Sequence, residues 1–350
     1  MRTEDRALEL IDRVRAKPPR FKDTQITMAH GAGGKATLTL IEGLLAPALG
    51  IEKLEDAAAV GELALTTDSF VVKPIRFPGG SIGELAVNGT VNDLAVSGAR
   101  PLVLTLSLVL EEGLSTDELR AEVEAIAHAA AEAGVEVVAG DTKVVERGHC
   151  DSMYITTTGL GATDERAQLA AAALRPGDRI LVSGRVGDHG TAIMLARGEF
   201  ELGAEIESDT RSLWPAVDAL LEGAGPRLRC LRDATRGGVA SVLNELARAS
   251  AVALVVREAA VPVARGVAGA CEILGIDPMY VANEGVLVGF VAPKAAEEAL
   301  AALRAVPGHE EAAEIGEVKA EPPGLVLVET AFGGRRVMDL LVGDPLPRIC

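Results

Sequence analysis

The chain has 350 residues, 48% hydrophobic and 24% charged, enough for packed cores and, at about 150 residues per domain, for two of them. Its formal net charge of −17 comes without a dense Lys/Arg block, which argues against nucleic-acid binding, because counterion release on a phosphate backbone needs clustered cations. No run of about 18 apolar residues offers a membrane span, and the charged start Met1-Arg2-Thr3-Glu4-Asp5-Arg6 has no signal-peptide core, so a cytoplasmic protein is expected.

Apolar residues Leu8, Leu10, Ile11 and Val14 suggest an amphipathic helix within residues 1–25, stopped before Pro18-Pro19. Next comes the loop His30-Gly31-Ala32-Gly33-Gly34-Lys35, followed by helical spacing. It is not a P-loop: Ala29 and Ala36 stand where that motif needs Gly and Ser/Thr. Either it is a loop whose donors cover a phosphate, or it is a plain loop-to-helix turn. A strand over 63–67 brings Asp68 to its end. A helix over 81–97 is mostly apolar, yet Glu84, Asn88 and Asn92 recur at four-residue spacing on one stripe, with Asp93 beside them. Asn and Asp disfavour helix interiors, so a polar site along this helix edge is expected.

A strand over 102–110 precedes the capping pattern Ser115-x-x-Glu118 and an Ala-rich helix that Gly134 ends. The strand 135–139 then delivers Gly140-Asp141-Thr142-Lys143 at its tip, and a strand over 153–158 closes the first half. The turn-rich stretch 164–177 reads as a domain boundary. In the second half, Gly187-Asp188-His189-Gly190 opens a helix; His189 reads best as structural. The strand 228–232 ends in Asp233, and Arg236-Gly237-Gly238 starts a helix, two glycines at a helix N-terminus being suited to an anion. Further strands and helices follow to a hairpin at Gly333-Gly334. Mixed elements in both halves predict an α/β or α+β fold in two domains.

Asp68, Asp93, Asp141 and Asp233 come from four distant places. Each alone could form a turn, but as a group they suit a Mg²⁺–nucleotide site, in which a few carboxylates and the phosphates share the ion. Lys143, and Glu284 in Asn283-Glu284-Gly285, are acid/base candidates if burial or neighbours move their pKa, and surface ion-pair residues if not. Cys150, Cys230, Cys271 and Cys350 are far apart and make neither a disulfide framework nor a zinc site. The first three read as small buried hydrophobes. Cys350 ends Asp344-Pro345-Leu346-Pro347-Arg348-Ile349-Cys350, a stretch the prolines keep extended, so a nucleophile stands at the tip of a stiff tail.

The strings Thr67-Asp-Ser-Phe70, Phe77-Pro-Gly-Gly80, Asn88-Gly-Thr-Val-Asn-Asp-Leu-Ala95, Gly140-Asp-Thr-Lys-Val-Val145, Gly187-Asp-His-Gly190, Asp233-Ala-Thr-Arg-Gly-Gly238, Ala282-Asn-Glu-Gly285 and Pro347-Arg-Ile-Cys350 resemble the hydrogenase maturation factors of the HypE type. These are carbamoyl dehydratases in the AIR-synthase-like (PurM-like) ATP-binding superfamily, and the resemblance covers about residues 26–350. It implies a two-domain PurM-like fold: an N-terminal ATP-binding domain (26–165) forming a dimer barrel, a C-terminal α/β domain (174–330), and a hairpin with a flexible Cys-bearing tail (331–350). It implies ATP and Mg²⁺ as cofactors at the cleft of a homodimer. Asp68, Asp93, Asp141 and Asp56 would hold the metal. His30, Gly31, Gly33, Gly34, Lys35, Asn88, Asn92, Gly140, Thr142, Asp233 and Arg236 would hold the nucleotide. Cys350 would accept a carbamoyl group from a HypF-like carbamoyltransferase, Lys143 and Glu284 would handle protons during its dehydration, and HypC–HypD-like iron-carrying scaffolds would take the cyanide. Glu84 and Val286 depart from the lysines common in relatives at these positions. Two other readings stay open: an ATP-dependent kinase or ligase of the same superfamily acting on a free small molecule, and a non-enzymatic nucleotide-sensing assembly factor.

Overall fold

The computed structural model describes residues 20–51, 54–198 and 205–341. Cys350 with its tail, and most of the helix expected within 1–25, lie outside the described residues.

The first half builds one five-stranded sheet. Its strands are β1 (Ala58–Val60), β2 (Leu63–Phe70), β5 (Ala99–Glu111), β6 (Glu136–Val145) and β7 (Met153–Thr163), with a small hairpin of β3 (Arg76–Phe77) and β4 (Gly80–Ser81) apart from it. The order is β1-β2-β7-β5-β6, antiparallel except for the parallel β5–β6 pair. Along β2, Ala64, Thr66 and Phe70 are buried while Leu63, Leu65, Thr67 and Ser69 are exposed, the period of two that gives a sheet one packed and one open face. Before the sheet, helix α1 (Lys35–Leu40) runs on through a wider turn, Ile41–Leu45, into a last helical turn, Ala46–Leu49.

Helix α2 (Ile82–Val96) lies on the packed face and is buried almost all round. Leu85, Val87, Val91 and Leu94 are fully enclosed, each worth about 1.5–3 kcal/mol of burial. Two glycines set the close approach: a Cβ on Gly89 would stand 2.7 Å from the Phe70 ring, and one on Gly83 2.6 Å from the Glu122 carbonyl. Helix α3 (Thr116–Ala133) covers α2. The Ser115 hydroxyl caps it by accepting from Asp117 N–H, and Gly134 closes it in a left-handed conformation.

The second half holds a seven-stranded sheet made of β8 (Arg179–Val182), β9 (Leu228–Asp233), β10 (Ala253–Arg257), β11 (Leu287–Val291), β12 (Ala313–Lys319), β13 (Val326–Glu329) and β14 (Arg335–Met338). The order is β14-β13-β10-β12-β8-β11-β9. Helices α4 (Asp188–Ala196), α5 (Trp214–Ala224), α6 (Gly238–Ala249), α7 (Arg265–Leu274) and α8 (Ala296–Arg304) pack around it. The α6 side is filled by Val239, Leu243 and Leu246, the α5–α8 side by Val217, Leu220 and Leu303. Ala95 and Val96 of α2 join this second core, so the buried helix of the first half also carries the junction.

Two sequence expectations change. β6 does not stop at residue 139; it runs through Gly140-Asp141-Thr142-Lys143, paired with Leu106 to Val109 of β5, so these residues lie within an edge strand and not at its tip. β2 likewise continues past Asp68 to Phe70. In both cases the ladder to a neighbouring strand overrides the weak strand propensity of Asp and Gly.

Candidate active site

The packed face of the first sheet, α2 and the end of β9 meet at a narrow cleft lined by Asp68, Asp93, Asp233, Glu284, Arg236 and Gly89. The alternation of β2 turns Asp68 toward α2, where Asp93 faces it. Asp233 arrives at the C-terminal end of β9, fixed by pairing with Leu287 of β11. Glu284 comes from the loop just before β11 and is only 3% exposed. Four carboxyl groups thus converge from both halves of the chain around one guanidinium.

Their proton affinities follow from that crowding. Burial, then Asp233, Asp56 and Asp68, push Asp93 well above the carboxylate range, against the Thr66 hydroxyl 2.8 Å away. Burial and Asp56 raise Asp233 to about 8. Glu284 is held well above its ordinary value by burial and by Asp233, Asp209 and Asp68, with Arg236 opposing. Asp68 is raised by burial, again against Arg236. Asp56 stands beside the cleft paired with Arg232, so part of its charge is already answered. Among the described residues no three His, Cys, Asp or Glu side chains converge closely enough to ring a metal ion by themselves. Mg²⁺ characteristically takes only one or two carboxylates and completes its shell with phosphate oxygens and water. A crowded, underneutralised acid cluster of this kind fits it.

The loop bearing Glu284 is held on every side. Asn283 accepts from Gly187 N–H at 2.7 Å and donates to the Ala234 carbonyl at 2.7 Å. The carboxylate of Asp209 accepts from Glu284 N–H at 3.0 Å and from Gly285 N–H at 3.2 Å. Asn92 of α2 donates to the Glu284 carbonyl at 3.2 Å and the Arg211 carbonyl at 3.0 Å, and accepts from Leu213 N–H at 2.7 Å. Asn88 donates to the Thr210 hydroxyl at 3.3 Å. The polar stripe expected along this helix is therefore present, but Asn92 has both amide atoms engaged in joining the two halves, a different employment from the nucleotide contact expected of it.

The glycine loop is also part of the junction. His30 is buried between the Thr27 backbone and Asp23, 2.9 Å from its Nε2. Gly31 O accepts from Arg236 at 2.9 Å, and Gly33 O from the Ser241 hydroxyl at 3.1 Å. At Gly33, with φ +75°, a Cβ would stand 2.7 Å from Arg236 O, which explains glycine there. Gly34 and Lys35 lie against Leu341: Lys35 N–H donates to Leu341 O at 3.1 Å, and Lys35 Nζ reaches Asp339 at 2.8 Å. The residue that precedes the tail thus touches the loop, and the loop touches Arg236 at the mouth of the cleft. His189 is fully buried, with Nδ1 2.8 Å from the Ser208 hydroxyl.

Gly140, Asp141, Thr142 and Lys143 are elsewhere. The row Asp68–Thr157–Leu106–Gly140 runs across four strands, which puts β6 about 14 Å from β2 at ordinary strand spacing. Asp141 and Lys143 alternate onto the open face, in the row Ser69–Thr156–Ser107–Asp141. Lys143 Nζ lies 2.6 Å from Asp141 Oδ2 and holds that carboxyl below its usual range. Within one chain these residues do not join the acid cleft. Val286 is buried in the core of the second half.

Asp209 and Thr66 carry no local signal that marks them out from their polar neighbours, and only the fold shows what they hold.

Residues 54–163 match the model of the AIR synthase related protein N-terminal domain, and residues 175–328 that of its C-terminal domain. The carbamoyl dehydratase HypE of Rhodobacter capsulatus is 48% identical over 339 residues, spanning 94% of this chain and 99% of that protein. Among solved structures, a HypE–HypF complex superposes with a TM-score of 0.83 at 44% identity, covering 86% of this chain and 99% of that one. A hydrogenase maturation protein HypE in complex with ATP gives 0.79 at 45% identity, covering 93% and 100%.

Proposed function

Since the chain belongs to the carbamoyl dehydratase HypE family of AIR synthase related proteins, and so works as an ATP-dependent carbamoyl dehydratase in hydrogenase maturation, we propose that the group it dehydrates is a carbamoyl carried on its own Cys350. The observation that carries this reading is the cleft itself: a buried glutamate with a raised proton affinity beside an acid cluster, whose Arg236 touches the glycine loop that in turn contacts Leu341. From Leu341 the nine residues to Cys350 span up to about 30 Å when extended, the reach by which the thiol would enter.

The chemistry balances as follows. An S-carbamoyl group, S–C(=O)–NH₂, has an oxygen that leaves poorly. Transfer of the γ-phosphoryl of ATP to that oxygen makes it part of a good leaving group. Departure of phosphate with loss of both N–H protons leaves S–C≡N, with ADP and phosphate as the other products. Most of the acceleration in such a phosphoryl transfer is positioning and charge neutralisation. One or two carboxylates from the set Asp68, Asp93 and Asp233 would hold Mg²⁺, which neutralises phosphate charge when bound. Arg236, the backbone of Gly31, Gly33 and Gly34, and Lys35 would border the phosphates. Glu284, whose proton affinity is raised by burial and by the neighbouring carboxylates, would transfer protons at the amide nitrogen.

Lys143 would assist from a second copy of the chain. The open face of the first sheet carries a Ser/Thr stripe flanked by exposed Leu63 and Leu65, and β6 is an edge strand with Val138 and Val144 exposed. Pairing of two copies through this face, as a homodimer, would cover both and bring Asp141, Thr142 and Lys143 of one copy toward the cleft of the other. A HypF-like carbamoyltransferase would load Cys350, and HypC–HypD-like scaffolds would take the cyanide. The free thiols of Cys150, Cys230 and Cys271 suit a reducing cytoplasm, and no helix among the described residues is long and apolar enough to cross a membrane. The reading is tested with Lys143→Ala and Glu284→Gln. Each is expected to keep Mg–ATP binding and lose dehydration; a variant that dehydrates at the parent rate removes that residue from the mechanism.

A further inference from the structure

We infer that Asp209 is a positioning residue for the reaction, holding the backbone of Glu284 in the wall of the cleft against a counter-strut from Asn92; this rests on Glu284 being a proton-transfer group. Asp209 sits in the segment 205–213, which has neither helix nor strand, and is only 6% exposed. Burying a carboxylate is costly unless its oxygens are answered by hydrogen bonds. Here they accept from two successive N–H groups, those of Glu284 and Gly285, at 3.0 and 3.2 Å.

Only a carboxylate offers two acceptor oxygens without a donor between them. An asparagine in its place keeps one acceptor and turns an NH₂ toward an N–H. The fit is tight as well: a Cβ on Gly285 would stand 1.9 Å from Asp209 O. From the other side, Asn92 donates to the Glu284 carbonyl and to the carbonyl of Arg211, two residues after Asp209. Asn92 immediately precedes Asp93. The helix that supplies a metal-site carboxylate and the loop that supplies Glu284 are therefore registered to each other through one amide, and the segment 209–213 locks that register. Glu284 could not shift relative to Asp93 without breaking hydrogen bonds on both faces of its peptide.

The test measures single-turnover dehydration of the Cys350-carbamoylated full-length protein, Mg–ATP affinity by calorimetry, and thermal melting, for the parent, Asp209→Asn and Glu284→Gln. Asp209→Asn is expected to slow dehydration about 10–100-fold, the usual cost of misplacing a reacting group by about an ångström. Its Mg–ATP affinity is expected to stay within about two-fold. Should Asp209→Asn melt below the assay temperature, Asn92→Ala applies the same test from the opposite strut, with the same split expected. A parent-like rate in the folded variant overturns the inference, as does a fall in Mg–ATP affinity parallel to the fall in rate, which is what a general structural role produces. If Glu284→Gln itself dehydrates at the parent rate, the assignment of Glu284 fails instead.

Discussion

Gly285→Ala isolates the placement of Glu284 from its chemistry. Gly285 has no left-handed backbone angle, so the substitution acts through space alone. The new methyl would lie 1.9 Å from Asp209 O, 2.8 Å from Arg211 Cγ and 3.0 Å from Asp209 C, where ordinary contact begins at 3.4 Å. The main obstacle is a backbone oxygen, which no rotamer change can remove, so loop and segment must part by about 1.5 Å, at an overpacking cost of about 1–3 kcal/mol. That movement is on the scale that costs about 100-fold in rate when it displaces a reacting group, while the phosphate-bordering residues are untouched. Single-turnover dehydration should fall about two orders of magnitude, Mg–ATP affinity should stay within a few-fold, and melting should drop by a few degrees. An alanine variant that dehydrates at the parent rate would refute the idea that this loop's position sets the reaction.

The acid cluster predicts a pH dependence. With Asp233 at about 8 and Asp93 and Glu284 raised, the metal-free folded chain holds protons that the unfolded chain has released. Its stability should therefore fall as pH rises from the ordinary carboxylate range toward 8. Because a cation competes with those protons, Mg²⁺ affinity measured calorimetrically should rise with pH up to about 8 and then level off. Asp233→Asn should flatten the curve, and an affinity independent of pH would contradict the cluster. If two copies share each site, mixing equal amounts of Lys143→Ala and Glu284→Gln chains under exchange should restore roughly a quarter of parent activity; no recovery after demonstrated subunit exchange would place both residues in one chain. Gly89→Ala, whose methyl meets the Phe70 ring at 2.7 Å, should cost about 1–3 kcal/mol in denaturant unfolding, and an unchanged midpoint would show that the ring can yield.

What could be read beforehand divides along physical lines. The buried helix α2, capped α3 and the ends of β9 carry their signal locally, in apolar spacing, capping residues and a strand followed by Asp and glycines, and these appear where expected. β6 runs beyond its expected end because Gly140 and Asp141, poor strand formers, are held in line by a parallel partner. Face and distance were beyond local reading: that Asp141 and Lys143 point away from Asp68 follows only from the strand order β2-β7-β5-β6. Asn92 shows the same limit more finely. Its place on the polar stripe was legible, but its use as a strut depends on Leu213, Arg211 and Glu284, which are 119 to 192 positions away along the chain.

The most direct measurement is the intact mass of the protein after a carbamoyltransferase has acted, and again after Mg–ATP is added, with the modified residue located by fragmentation. The expected result is an adduct on Cys350 that loses the mass of one water on addition of Mg–ATP. An adduct that never forms on Cys350, or one that Mg–ATP leaves unchanged, would contradict the claim that the chain's own thiol carries the group dehydrated in its cleft.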